Sequence, residues 1–258
     1  MRTLLAPFLL SLAVIPFLAI TPAPVAERGE LPATTTSPEA VSREHHPVVL
    51  LHGLVRRSGS MNRMQRELDE AGYETCNIGY PSRSHTIDIL ALEYVLPQIE
   101  ECAGEGDVSI DFVTHSMGGL IVRYLAKEEL ADRMGRVVML GPPNGGSEIV
   151  DKIGDWWLFE VVNGPAGIEM GTDSTSLPLQ LGVPDYEVGV IAGTRTTNLI
   201  LSALIGGEDD GKVSVENTRL EGMKDFLVMP ASHMFMMRKK RVIEQAIHFL
   251  ENGVFSEG

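Results

Sequence analysis

The chain has 258 residues, 44% hydrophobic and 22% charged, a balance that excludes a largely disordered chain and leaves room for one α/β domain with a sizeable core. With 35 acidic against 21 basic residues the formal charge is −14, which disfavours nucleic acid and anionic membrane surfaces as partners. No internal repeat points to a solenoid.

Residues 1–26 begin "MRTLLAPFLLSLAVIPFLAI", one Arg ahead of a long uncharged apolar run, and continue into the small-residue stretch "TPAPVA". This pattern predicts a signal peptide and export, to the periplasm or beyond the cell. Pro7 and Pro16 work against the alternative, a spanning helix left uncleaved as a membrane anchor. Residues 27–44 keep a Pro-, Thr- and Ala-rich composition without a period and are expected to form a flexible linker to a domain at 45–258.

Within the domain, "PVVLLHG" (47–53) is a continuous apolar run closed by Gly, the mark of a strand buried on both faces. "GSMNRMQRELDEAG" (59–72) spaces Met61, Met64, Leu68 and Ala71 as a helix face, with Ser60 placed to cap its start. "YETCNIGYPS" (73–82) reads as a strand and "HTIDILALEYVLPQIEEC" (85–102) as a helix that Pro97 should kink. Cys76 and Cys102 fall in these two segments. They are either a disulfide, which export permits, or two buried thiols; with no second pair and no nearby His, no metal site is predicted.

"VSIDFVTHS", "GRVVMLGPP", "YEVGVIAGT" and "DFLVMPAS" continue the strands, with "MGGLIVRYLAKEEL" and "RKKRVIEQAIHFLENG" as helices. Strands separated by helices imply parallel crossovers. The expected fold class is α/β: a mostly parallel sheet with helices on both faces and a small cap insertion at about 147–185.

Four segments carry the candidate chemistry. In "DFVTHSMGGLIVRY" (111–124), Ser116 sits where a strand turns sharply into a helix, the setting of a nucleophile elbow, with Gly118 and Gly119 meeting the need for small residues after it. Thr114 occupies the position that the G-x-S-x-G pattern gives to its first Gly. A plain helix cap would also use a Ser there, so the other segments decide. In "LLHGLVRRSG" (50–59), the turn after the first strand can supply the Leu54 backbone N–H to an oxyanion, with Met117 N–H as the second donor. "GGEDDGKVSVENT" (206–218) offers Asp210 as orienting acid, with Asp209 and Glu208 as competitors that suit a solvated turn. "MPASHMFMM" (229–237) places His233 after the last strand as general base, so that Ser, Asp and His follow in the order such a sheet requires. Of the other histidines, His45, His46, His85 and His248 belong to flanks or helices, and His115 is expected to point away from Ser116 because side chains alternate along a strand.

Together, "LLHG", "THSMGGLIVRYLA", "DGKVSVENT" and "SHMFMM" resemble bacterial secreted lipases and esterases of the α/β-hydrolase fold over nearly all of residues 47–253. In that family the first elbow Gly is replaced in several members by a small or β-branched residue, as by Thr114 here. The resemblance implies Asp210 and His233 as catalytic partners of Ser116, and "GPPNGGSE" (141–148) as a loop edging the site. It implies an exported serine hydrolase acting on an ester or lipid substrate, with no cofactor and no metal.

In such an enzyme His233 takes the Ser116 proton as the hydroxyl attacks an ester carbonyl, Asp210 holds the imidazole, and water releases the acyl group. Trp156, Trp157, Leu158 and Phe159 either line an acyl pocket or form the core of the cap itself. The same triad serves acyl transfer, amide or thioester cleavage, while a noncatalytic exported binding protein would be expected to have lost it.

Overall fold

A computed structural model describes residues 45–104, 106–153, 157–197 and 199–257. The expected signal peptide and linker lie outside the described residues, and among those described no helix is long and apolar enough to cross a membrane.

In chain order the main elements are β1 (Val48–Leu51), α1 (Asn62–Glu70), β2 (Thr75–Ile78), α2 (Ile87–Ile89), a π-helical stretch at Leu90–Val95, α3 (Leu96–Ala103), β3 (Ile110–His115), α4 (Met117–Glu128) and β4 (Met134–Leu140). There follow α5 (Glu148–Ile153), α6 (Trp157–Ile168), α7 (Leu177–Gln180), β5 (Val188–Gly193), α8 (Leu199–Ile205), α9 (Val215–Thr218), β6 (Asp225–Met229) and α10 (Lys240–Asn252). The strands form one sheet in the order β2-β1-β3-β4-β5-β6, with every neighbouring pair parallel.

Alternation along the strands builds two cores. Val49 and Leu51 of β1 join the core on one face, with Ile87, Leu90, Ile99, Leu120 and Leu125 from α2, the π stretch, α3 and α4. Val48 and Leu50 join the other, with Met64 and Leu68 of α1 and Ile243 and Phe249 of α10. Each fully buried Leu or Ile contributes roughly 1.5–3 kcal/mol, so a strand covered on both sides is held far more firmly by burial than by its hydrogen bonds.

Two local expectations are corrected. Ser60 does not cap α1: its hydroxyl donates to the Arg57 carbonyl at 2.8 Å and closes a short 3-10 turn, and the helix starts after Met61. The irregularity expected at Pro97 takes the form of the π-helical stretch just before it, with Pro97 in the first turn of α3 directly after those wider turns.

Of the alternatives for the two cysteines, the disulfide is present and ties the edge strand β2 to α3 across a sequence separation of 26. Loop closure of that length is worth about 3 kcal/mol through the unfolded chain. Cys102→Ser is therefore expected to lower unfolding stability by roughly that amount, read as a shift in urea midpoint that added reductant reproduces in the wild type and not in the variant.

Candidate active site

In a parallel sheet the loops after the strands gather along one edge. Here β1 leads into residues 52–57, β3 into Ser116, β4 into residues 141–147, and β6 into His233, while Asp210 lies beyond β5 and α8. Ser116 takes φ 54°, ψ −125° between β3 and α4. Among the described residues the only other non-glycine with positive φ is Val55, at 58°, next to Leu54. Such backbone costs on the order of 1–3 kcal/mol per residue, and both instances sit at this edge.

The turn at Ser116 brings α4 hard against its neighbours. A Cβ on Gly118 would lie 2.8 Å from the Leu51 carbonyl oxygen, and one on Gly119 would lie 3.4 Å from Thr114 Oγ1 and 3.3 Å from Pro142 Cβ. Thr114 is fully buried, and its Oγ1 is at contact distance from where a Gly119 Cβ would stand.

Three side chains from distant segments form one hydrogen-bonded line. His233 Nε2 is 2.9 Å from Ser116 Oγ, and His233 Nδ1 is 2.7 Å from Asp210 Oδ2. A carboxylate only accepts, so Nδ1 carries the proton and Nε2 is free to accept from the hydroxyl. Asp210 Oδ1 accepts from the backbone N–H groups of Lys212 at 3.0 Å and Val213 at 2.9 Å, and the His233 N–H donates to the Asp210 carbonyl at 2.9 Å. Asp209 is engaged elsewhere, accepting from Ser202 Oγ at 2.6 Å and Gly211 N–H at 2.7 Å, and Glu208 is exposed.

The turn after β1 is braced by His52. Its Nδ1–H donates to the Gly53 carbonyl at 2.9 Å, its ring stacks on Tyr80 at 4.0 Å, and the Tyr80 hydroxyl donates to the His52 carbonyl. Because C=O and N–H of a trans peptide point opposite ways, fixing the Gly53 carbonyl also fixes the direction of the Leu54 N–H. Met117 is the first residue of α4, where backbone N–H groups lack helical acceptors.

His115, expected to point away from Ser116, makes no hydrogen bond to the Ser116 side chain among the described residues and meets His233 instead. Its Nε2–H donates to the His233 carbonyl at 2.9 Å, the two rings lie 4.9 Å apart, and its Nδ1 is buried without a partner. That partner comes from another loop, 118 residues along the chain, which alternation along one strand does not reveal. Burial holds the His115 imidazole well below its ordinary value, and the charge on a protonated His233 would push the same way. The remaining histidines stand apart from Ser116: His45 stacks on Tyr73, His46 faces Asp111, His85 meets the Tyr94 hydroxyl, and His248 lies on α10.

A cavity of about 260 Å³ opens on Ser116 and His233, walled by Leu54, Pro143, Ile149, Val150, Val162 and Met170, with Ser147, Asn163, Lys212 and Val213 completing it. Residues 149–170 belong to the inserted segment between β4 and β5, which is tied to the 83–87 turn: Arg83 donates to the Val162 carbonyl at 3.3 Å and Glu169 accepts from the Ile87 N–H at 2.8 Å. Trp156 lies outside the described residues, as do the side chains of Trp157, Leu158 and Phe159.

Two outcomes follow. Gly118→Ala drives a methyl into a backbone carbonyl and should cost about 1–3 kcal/mol, whereas Gly119→Ala, whose methyl would meet only side-chain atoms at 3.3–3.4 Å, should be milder, as read from urea midpoints of the two variants. Because folding depresses the His115 pKa below 6.5, the unfolded chain binds a proton that the native chain refuses. Its contribution is complete above about pH 6.5 and is lost as pH falls from there toward the folded value; His52, also depressed by burial, adds in the same sense. Denaturant titrations at about pH 7.5 and about pH 5.5 should therefore show a smaller acid loss in His115→Gln than in the wild type.

No family model and no curated protein sequence matches the chain. Solved structures do. The mature lipase BlEst2 of Bacillus licheniformis aligns with a TM-score of 0.63 at 19% identity, over 83% of this chain and 95% of its own. The metagenomic carboxyl esterase MGS0156 aligns with a TM-score of 0.59 at 22% identity, over 82% of this chain and 71% of its own. The product of the gene lin2722 from Listeria innocua gives 0.58 at 18% identity, over 83% and 96%. The parallel sheet, its covering helices and these structural neighbours together show that the chain has the α/β-hydrolase fold.

Proposed function

We propose that this chain is a serine hydrolase of carboxylic esters that works through Ser116, His233 and Asp210. The observation that carries this reading is the imidazole of His233, with Ser116 Oγ at 2.9 Å on one nitrogen and Asp210 Oδ2 at 2.7 Å on the other. The fold shared with a lipase and a carboxyl esterase agrees with it.

In the first half-reaction Ser116 Oγ attacks the ester carbonyl while its proton passes to His233 Nε2, and Asp210 stabilises the imidazolium through the Nδ1–H that it already accepts. Negative charge on the carbonyl oxygen is received by the Leu54 and Met117 N–H groups. His233 then gives its proton to the departing alcohol, leaving an acyl group on Ser116. In the second half the same imidazole takes a proton from water, which attacks the acyl-enzyme and frees the acid. The cavity of about 260 Å³ falls below the usual range for drug-sized ligands, which favours an esterase of modest acyl groups over a hydrolase of long-chain lipids. A secreted or periplasmic destination belongs to the same reading and rests on the pattern of residues 1–26.

Purified protein should turn over p-nitrophenyl esters of short acids, and Ser116→Ala and Asp210→Asn should each lower kcat by about a thousandfold or more with their melting curves intact. A fluorophosphonate should add once, at Ser116, by peptide mass spectrometry. Absence of turnover across all acyl lengths, together with an unlabelled Ser116, would overturn the assignment.

A further inference from the structure

Lys212 lines the cavity that holds Ser116 and His233. It stands two residues beyond Asp210, and its backbone N–H is spent on the Asp210 carboxylate. Its ammonium makes no ion pair with any carboxylate among the described residues. Asp210 is the nearby acid that attracts it, and that carboxylate is already occupied by the His233 imidazole and two backbone N–H groups.

Across the turn that carries Leu54 lies a second cavity, of about 390 Å³, lined in part by Arg56, Arg57 and Arg83. Arg56 donates to the Met234 carbonyl at 3.2 Å and Arg83 to the Val162 carbonyl, but neither these nor Arg57 pairs with a carboxylate among the described residues. Some cations elsewhere are paired, Arg63 with Glu67, Arg136 and Lys224 with Glu187, Arg219 with Glu216, Lys240 with Glu244, while the buried Arg123 is met by Asn144 and two carbonyls. In a chain where acids outnumber bases 35 to 21, Lys212 in one cavity and Arg56, Arg57 and Arg83 in the other gather positive charge on the two sides of the Leu54 turn, and Arg56 is near enough to act on the Lys212 ammonium.

A half-buried ammonium without a counter-ion is costly unless something anionic arrives to share its site. We propose that the ester taken by Ser116 carries an anionic group, a carboxylate or a phosphate, and that Lys212 with Arg56 receives it. The proposal rests on the ester-hydrolase reading and adds the substrate's charge. Consistent with a cation awaiting a partner, burial holds the Lys212 ammonium below its ordinary value and Arg56 adds to the depression, with Asp210 opposing both. The apolar walls at Ile149, Val150 and Met170 then fit the carbon chain between ester and anion.

The test compares matched esters. On the acyl side p-nitrophenyl hydrogen glutarate is set against p-nitrophenyl valerate; on the alcohol side p-(valeryloxy)phenyl phosphate is set against p-methoxyphenyl valerate. In one of these pairs the anionic member should have the higher kcat/KM, and that pair identifies which part of the ester bears the charge. Lys212→Met and Arg56→Met should each lower the anionic-to-neutral ratio about tenfold, Lys212→Arg should keep it, and added salt should weaken it. A Lys212→Met variant that slows anionic and neutral members equally would show a general effect on the transition state and overturn the proposal. Neutral members preferred in both pairs would overturn it as well. No turnover of any of the esters with Ser116 unlabelled by fluorophosphonate would instead bring down the hydrolase reading itself, and this with it.

Discussion

Everything at this edge of the sheet depends on one strained residue. Ser116 is held at φ 54° and ψ −125°, a conformation an L-residue keeps only where its surroundings leave no alternative. Those surroundings are the Ser116 N–H bonded to the Leu140 carbonyl at 2.9 Å, the Ser116 carbonyl accepting from the Gly119 N–H at 2.9 Å, and a fully buried β3 behind it. The turn lifts the hydroxyl off the strand axis toward the loops after β5 and β6. Were it relaxed to ordinary helix-cap geometry, the same Ser would serve its own amides and His233 would have nothing to polarise.

The glycines close to this point show how tightly the parts are fitted. Gly141 has φ 55°, and a Cβ there would stand 2.9 Å from Asp210 Oδ2 and 3.2 Å from His233 Nδ1. The loop after β4 therefore passes directly beneath the imidazole–carboxylate bond and excludes water from it. Asp210 is 1% exposed and His233 4%, so their hydrogen bond works in a medium where it is worth more than at the surface.

Much of the fold was legible in the sequence because buried parallel strands are continuous apolar runs, and β1, β3, β4 and β5 are such runs between helical patterns. The helices α5 to α9 were not, since α5, α7, α8 and α9 are only four to seven residues long and α6 is interrupted at Gly164 and Pro165, too little for a periodic face to be read. Ser116, Asp210 and His233 were legible as a set, each being punctuated by a strand end or a Gly. The tie of His115 to the His233 carbonyl was not legible: it joins two loops through space, and periodicity along one strand says nothing about what another loop brings to it. Lys212 sat in plain view inside "DGKVS", yet only the cavity shows that it shares a chamber with Ser116.

The disulfide between Cys76 and Cys102 bears on how the molecule comes apart. Strand β2 stands at the end of the sheet with β1 as its sole partner, and edge strands are where partial openings begin. With the bridge in place, peeling β2 away means dragging α3 with it, and α3 is anchored in the core through Ile99. Fraying at this border is thus coupled to a much larger unfolding event, so a protease meeting the native protein finds no short strand to unzip, and β1, whose end carries His52 and Leu54, keeps its neighbour.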